Sequence, residues 1–259
     1  MKRKDAPQAL SDILLKDIGL NINELTSAVE ASRNFRKAFP ILRFEMTHKD
    51  AFLLLLRCYQ YEVQSRNCVF ELDECTIDVL KNITGHMVEK TPKPGLLLCG
   101  LHGNGKTTMA RAVIRMIQDL NNRGQLQFMG EYFSVETRYI KATDICTLHK
   151  AEDYHSILNL KQTPFLVIDD LGEEAKEVLV YGTPIYPVRE VLEARYDTLK
   201  FTILTSNLSP KDLPEHYGWR VVDRFKEMLH QVAFKGKSYR KRERTENKKE
   251  SPESNKEEG

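Results

Sequence analysis

The chain has 259 residues and a formal net charge of +2, from 39 Lys and Arg against 37 Asp and Glu. Positive and negative side chains nearly cancel, so bulk charge singles out neither nucleic acid nor a membrane surface as a partner. The longest apolar run, Ala51 to Leu56, is too short to span a bilayer. The basic start Lys2-Arg3-Lys4 leads into Asp5 and polar residues rather than an apolar stretch, which argues against a secretory leader. Five cysteines (58, 68, 75, 99 and 146) form no C-x-x-C pair. Reduced thiols in a cytoplasmic protein are therefore expected, with no second ligand pair to make a metal site of Cys68 and Cys75.

In chain order, residues 1–65 read as helical. One helix is expected over Leu10 to Ile18 and a second from Ile22 to Ala38, stopping before Pro40. A third starts at Thr47-His48-Lys49-Asp50, where a capping-box-like signature precedes Phe52, Leu53, Leu55 and Leu56. These helices read either as a unit packed on the main domain or as a partner-binding module.

Residues 66–235 alternate between strand and helix. Strands are expected at Leu96 to Cys99, Tyr139 to Lys141, Phe165 to Ile168, Phe201 to Thr205 and Gln231 to Phe234. That alternation predicts a parallel sheet covered by helices on both faces, with ligands beyond the carboxyl ends of the strands. Residues 236–259 are Lys, Arg, Glu, Ser and Asn with almost no apolar side chain, and read as a disordered charged tail. Its first part (Lys237, Arg240, Lys241, Arg242, Arg244) is basic. It reads either as a solvated end or as a contact for nucleic-acid phosphates.

Three polar clusters fall at strand ends. Gly100-Leu101-His102-Gly103-Asn104-Gly105-Lys106-Thr107 fits G-x-x-x-x-G-K-[ST], between a strand and a helical stretch carrying Met109, Val113, Met116, Ile117 and Leu120. This is a phosphate-binding loop in the strand–loop–helix context it requires. Its glycines let backbone N–H groups turn toward a phosphate chain at the positive start of a helix. Gly100, His102, Gly103, Asn104, Gly105, Lys106, Thr107 and Thr108 are the candidate nucleotide contacts. Lys106 would reach the β- and γ-phosphates, and Thr107 would hold Mg²⁺.

Phe165-Leu166-Val167-Ile168 runs into Asp169-Asp170. Asp169 is the candidate metal carboxylate, and Asp170 the candidate base for a water attacking the γ-phosphate. The strand Phe201 to Thr205 ends in Ser206-Asn207, and the Asn207 amide is a candidate for orienting that water. Arg220 and Arg224 lie four apart after Gly218-Trp219, on one helix face. They read either as a solvated surface or as an arginine finger for the nucleotide of a neighbouring subunit.

In this order, the loop at Gly100 to Thr107, Ile168-Asp169-Asp170-Leu171-Gly172 with Glu174, Thr205-Ser206-Asn207 and Gly218-Trp219-Arg220-Val221-Val222-Asp223-Arg224 resemble the AAA+ superfamily, and within it the DnaC/IstB-type ATPases. Glu193-Ala194-Arg195-Tyr196 resembles the arginine–tyrosine helix before the fourth strand of that family. The match covers about residues 66–240. It implies a P-loop AAA+ core with a five-stranded parallel sheet, without a C-terminal lid, joined to a small N-terminal helical domain at 1–65. It also implies an ATPase using ATP and Mg²⁺ that forms homo-oligomers when ATP-bound, with Arg224, then Arg220, acting across the interface. Single-stranded DNA contacts from the helix over Thr143 to Lys150 follow from the same resemblance, which makes His149 and Lys150 the candidates. The implied function is that of a loader for a replicative hexameric helicase, bound through the N-terminal domain. An IstB-like transposition helper acting on duplex DNA with a transposase shares every core motif and stays open, as does, from another class, a P-loop small-molecule kinase.

Overall fold

A computed structural model describes residues 46–89, 92–128, 131–132, 135–209, 211–236 and 238–239 of the chain. The helices expected over Leu10 to Ile18 and Ile22 to Ala38 lie outside the described residues, as does the tail from 240 onward.

The first described helix, α1 (His48–Gln64), begins where the capping signature put it, with the Thr47 hydroxyl accepting the Asp50 N–H at 3.1 Å. After it comes α2 (Glu74–Met87), capped by Asp73 through the N–H of Thr76. Strand β1 (Gly95–Gly100) leads through the phosphate loop into α3 (Lys106–Asn122). A two-residue antiparallel pair, β2 (Gln127–Phe128) and β3 (Glu131–Tyr132), precedes β4 (Thr137–Lys141). Then follow α4 (Ala142–Lys150), α5 (Tyr154–Gln162) and β5 (Phe165–Leu171). A hairpin of β6 (Val178–Val180) and β7 (Thr183–Ile185) comes next, then α6 (Pro187–Asp197), β8 (Phe201–Ser206), α7 (Leu213–Tyr217), α8 (Trp219–Met228) and β9 (His230–Phe234).

The main sheet has the order β4-β5-β8-β1-β9 and every pairing in it is parallel. All five strands expected from the sequence are present, each within two residues of its expected ends at most apart from the three-residue extension of β5. Side-chain alternation splits the interior in two, because successive residues of a strand point to opposite faces. Leu96 and Leu98, Phe165 and Val167, and Phe201 and Ile203 face α1, α2 and α3. Leu97 and Cys99, Leu166 and Ile168, and Leu204 face the layer of α4, α6 and α8. Burial on both sides is why these strands read as continuous apolar runs.

Helix α1 lies within the first of these layers, since Leu55, Cys58 and Tyr59 share a cluster with Met109, Val113 and Met116 of α3. The domain boundary expected at residue 65 is corrected accordingly: residues 48–64 belong to the sheet-bearing unit. A helix carries its own partner surface only if its apolar stripe is left over, and here α3 consumes that stripe. Helix α2 and the β6–β7 hairpin lie outside the elements expected from the sequence. The cap at Asp73 with Val79, Leu80, Ile83 and Met87, and the Tyr181-Gly182 turn, are the signals that mark them.

Arg195 of α6 is wholly buried between the sheet and α5, with no carboxylate paired to it among the described residues. Its Nε donates to the Thr202 hydroxyl at 2.8 Å. Nη1 donates to the Leu160 and Thr163 carbonyls at 2.8 Å each, and Nη2 to the Phe201 carbonyl at 2.7 Å. Burial pulls the guanidinium down to about 9. The planar fork satisfies backbone groups that neither α5 nor β8 can pair for themselves. Replacing it with Met strands those carbonyls, so Arg195→Met should lose roughly 3 kcal/mol or more of unfolding free energy in urea titration. Lys, with one nitrogen for four acceptors, should not restore it.

Candidate nucleotide-binding site

The parallel order puts the carboxyl ends of β1, β8 and β5 side by side, with the phosphate loop, Asp169-Asp170 and Asn207 at that edge. Between β1 and α3 the loop turns with Gly103 at φ 79° and Gly105 at φ 92°. A Cβ on Gly105 would also stand 2.7 Å from the Tyr59 hydroxyl, so both conformation and space require glycine there. Asn104 ties the loop to the sheet by donating to the Phe234 carbonyl at 2.9 Å. The Lys106 ammonium is buried inside the loop, donating to the carbonyls of Gly100 at 2.7 Å and Leu101 at 2.8 Å and to Asn104 Oδ1 at 3.2 Å. Helix α3 has no acidic residue in its first turn, leaving its positive end uncompensated toward the loop.

Asp169 is 1% exposed and accepts from three hydroxyls. Thr107 donates to Oδ1 at 3.0 Å, Thr205 donates to Oδ1 at 2.5 Å, and Tyr139 donates to Oδ2. Burial, then the bond to Asp169, pushes the Tyr139 phenol up to about 12. Arg111 sits 4.6 Å from the centre of the same ring. Asp170 follows at φ 57°, where the register of β5 against β8 shifts between Ile168 and Leu171. The bulge swings its side chain out of the sheet and over the loop. Its N–H donates to the Thr205 hydroxyl at 2.9 Å, so one threonine orders both carboxylates. Burial, then the neighbouring Asp169 charge, raises the Asp170 carboxyl above its ordinary range.

A cavity of about 250 Å³ lies over these groups, lined by the loop from His102 to Thr108, by Asp170 and by Asn207. The Asn207 amide donates to Glu173 Oε1 at 3.3 Å, and the His102 ring is 4.0 Å from the same oxygen. Thr108 accepts a bond from Arg66 Nη1 at 2.9 Å. Tyr59, Val63, Val69, Phe70 and Tyr239 add an aromatic and apolar part to the lining, with Tyr59 and Tyr239 close to Gly105. Arg66, Tyr139 and the aromatic lining are not among the site residues expected from the sequence. Only Thr205, a polar residue in an apolar strand, carried a local signal.

Arg220 and Arg224 are not among the lining residues of this chain's own cavity. Both lie on α8. Arg220 is exposed, whereas Arg224 rests on α6, with Nη1 3.5 Å from Glu193 Oε1 and its guanidinium 4.8 Å from the Tyr196 ring centre. Near them Glu174 is buried and accepts from Tyr217 and from the Gly172 N–H, joining α7 to the turn after β5. The two candidates for DNA contact separate. Lys150 is exposed, but His149 is 5% exposed and faces Glu190, so its ring does not offer a surface contact. The i+7 spacing of His149 from Ala142 puts it on the buried side of α4.

Sheet order, phosphate loop and strand-end carboxylates together define a P-loop α/β fold of the AAA+ type. Among solved structures, it is similar to that of the DnaC helicase loader, at 23% identity and a TM-score of 0.51, covering 68% of this chain and 98% of that one. It is also similar to a solved DnaI, at 21% identity and a TM-score of 0.51, covering 66% of this chain and 88% of that one. At these identities the likeness is one of fold. No protein-family model and no curated protein matches the chain. The described residues contain no helix long and apolar enough to cross a membrane.

Asp170 generates a prediction whose sign follows from its environment. An acid with a raised folded pKa favours the protonated native state, so its contribution to stability is lost as pH rises through that pKa. At neutral pH the ionised carboxylate therefore opposes folding. Asp170→Asn should melt higher than the parent at neutral pH, with the gap closing toward the acidic carboxylate range. Melting curves at a series of pH values check this.

Proposed function

We propose that this chain is an ATP-dependent helicase loader, a nucleotide-driven oligomer that engages a replicative helicase and single-stranded DNA. One observation carries the nucleotide reading: Lys106, Asp170 and Asn207 line one cavity, and Thr107, bonded to Asp169, borders it. The triphosphate would lie along the loop, with the Lys106 ammonium exchanging loop carbonyls for β- and γ-phosphate oxygens. The base would enter the aromatic part of the lining at Tyr59 and Phe70. Thr107 and Asp169 offer adjacent hard oxygen ligands, the donor set that suits Mg²⁺ held together with phosphate oxygens and water. The ion would supply charge neutralisation along the phosphates.

In hydrolysis the Asp170 carboxylate would take a proton from the attacking water, aided by its raised affinity for that proton. Asn207 would hold the same water through its amide. Arg224, which does not line its own chain's cavity, would act on the nucleotide of a second copy. Its cation would stabilise charge on the transferring phosphoryl group. Lys150 on α4 would contact phosphates of single-stranded DNA. The fold shared with the DnaC and DnaI structures supports the loader reading over other uses of the same ATPase core.

Lys106→Ala should abolish nucleotide binding measured with a fluorescent ATP analogue; retained affinity would refute the loop assignment. Arg224→Ala should bind ATP as the parent does, yet lose oligomer-dependent hydrolysis by about 1000-fold or more. Partner identity is tested by native mass spectrometry of the chain mixed with the replicative helicase of its own organism and ATP. A complex that disappears on removing residues 1–45 supports the loader. No complex, with ATP-dependent filaments on duplex DNA instead, supports a transposition helper.

A further inference from the structure

The connection between α1 and α2 carries a cation into the nucleotide cavity. Arg66 is exposed and lines that cavity, and its Nη1 donates to the Thr108 hydroxyl at 2.9 Å. Among the described residues no carboxylate pairs with it. A guanidinium presents five donors in a planar fork that suits carboxylate or phosphate oxygens, so one neutral hydroxyl leaves most of that capacity unused. Glu71 and Asp170 put negative charge on the same lining. A polyphosphate entering there needs more positive charge than Lys106 alone supplies.

Arg66 is not on a free loop. The Val63 carbonyl accepts the N–H groups of Arg66 at 3.2 Å and of Cys68 at 3.4 Å, and Asn67 takes φ 55° between them. The end of α1 is in turn fixed to α3. Arg115 Nε donates to Glu62 Oε1 at 2.6 Å, and the same guanidinium lies 3.9 Å from the Tyr61 ring centre. Because α3 is the helix that follows the phosphate loop, Arg66 and the loop are held in one frame. On the first turn of α3 the Thr107 hydroxyl faces Asp169, whereas Thr108, about 100° further round the helix, faces Arg66. The guanidinium thus approaches the helix start from a different side than the candidate metal carboxylate. The metal and the terminal phosphate belong to the Asp169 side. The α- and β-phosphates lie along the loop N–H groups at the helix start, within the reach of Arg66.

We propose that Arg66 is a nucleotide contact for the α- or β-phosphate, the part that ADP and ATP share, and that it holds the product of hydrolysis as firmly as the substrate. The proposal rests on the nucleotide reading above and adds to it a residue from outside the phosphate loop. On binding, the guanidinium leaves the Thr108 hydroxyl for phosphate oxygens, exchanging a neutral acceptor for a charged one. The contact is the same before and after the terminal phosphate departs. It is uniform binding, which tightens the complex without accelerating the chemical step. Discrimination between ATP and ADP falls to the groups on the Asp169 side.

The test measures binding of fluorescent ATP and ADP analogues to the full chain and to two variants. Arg66→Gln keeps a hydrogen-bond donor for the Thr108 hydroxyl but removes the charge, whereas Arg66→Lys keeps the charge. Arg66→Gln should weaken both analogues by about tenfold or more, leaving their ratio within about twofold of the parent's. Arg66→Lys should bind both to within about threefold of the parent, since an ammonium also binds phosphate as a point charge. A merely structural bond to Thr108 would be served by Gln as well as by Lys. Parent-like binding by Arg66→Gln, or equal losses in the two variants, therefore overturns the proposal. A loss confined to the ATP analogue overturns it too, by moving the contact to the terminal phosphate. In each of these outcomes the parent still binds and the nucleotide reading stands; a parent that binds neither analogue overturns both.

Discussion

The buried carboxylate of Asp169 is the constraint on which the site depends. A charge that is 1% exposed must be satisfied within the fold, and three hydroxyls from three elements do so. Thr107 comes from the start of α3, Tyr139 from the edge strand β4, and Thr205 from β8. The cost of leaving any of them unpaired holds these elements in register at one point. The phosphate loop, the candidate base and the strand end that carries Asn207 are thereby fixed relative to one another before any ligand arrives, which is the preorganisation a phosphoryl-transfer site needs.

The sheet order makes that convergence possible. Because β8 is inserted between β1 and β5, the loop and the carboxylate pair are separated by one strand, and the Thr205 hydroxyl reaches both Asp169 and the Asp170 N–H. The bulge after Ile168 then turns Asp170 out of the ladder while Asp169 stays in it. Two adjacent aspartates gain different environments from that one irregularity. One is buried and bonded to hydroxyls, whereas the other faces the cavity with its proton affinity raised. On the opposite side, Arg195 ties α5, α6 and β8 together, so that the strand bearing the threonine is itself rigidly seated.

Helix α8 carries the arginines away from this chain's own cavity, and Glu174 joins α7 to the turn that follows β5. Tyr239, by contrast, lines the cavity and is bonded to Gly103 and Asp73.

The sequence by itself determined the five core strands, the phosphate loop, the capped start of α1 and the two strand-end carboxylates. Each is a local pattern: burial on both faces gives continuous apolar runs, a loop needs glycine at set spacing, and a cap needs its threonine beside the first turn. Only the tertiary structure decided which groups meet. Tyr139 and Asp169 are thirty residues apart and Tyr239 and Asp73 over a hundred and sixty, and neither spacing leaves a signature that a window of residues can carry. It also decided that α1 belongs to the core and that His149 is buried, because the side of a helix that faces solvent depends on what the rest of the chain packs against it.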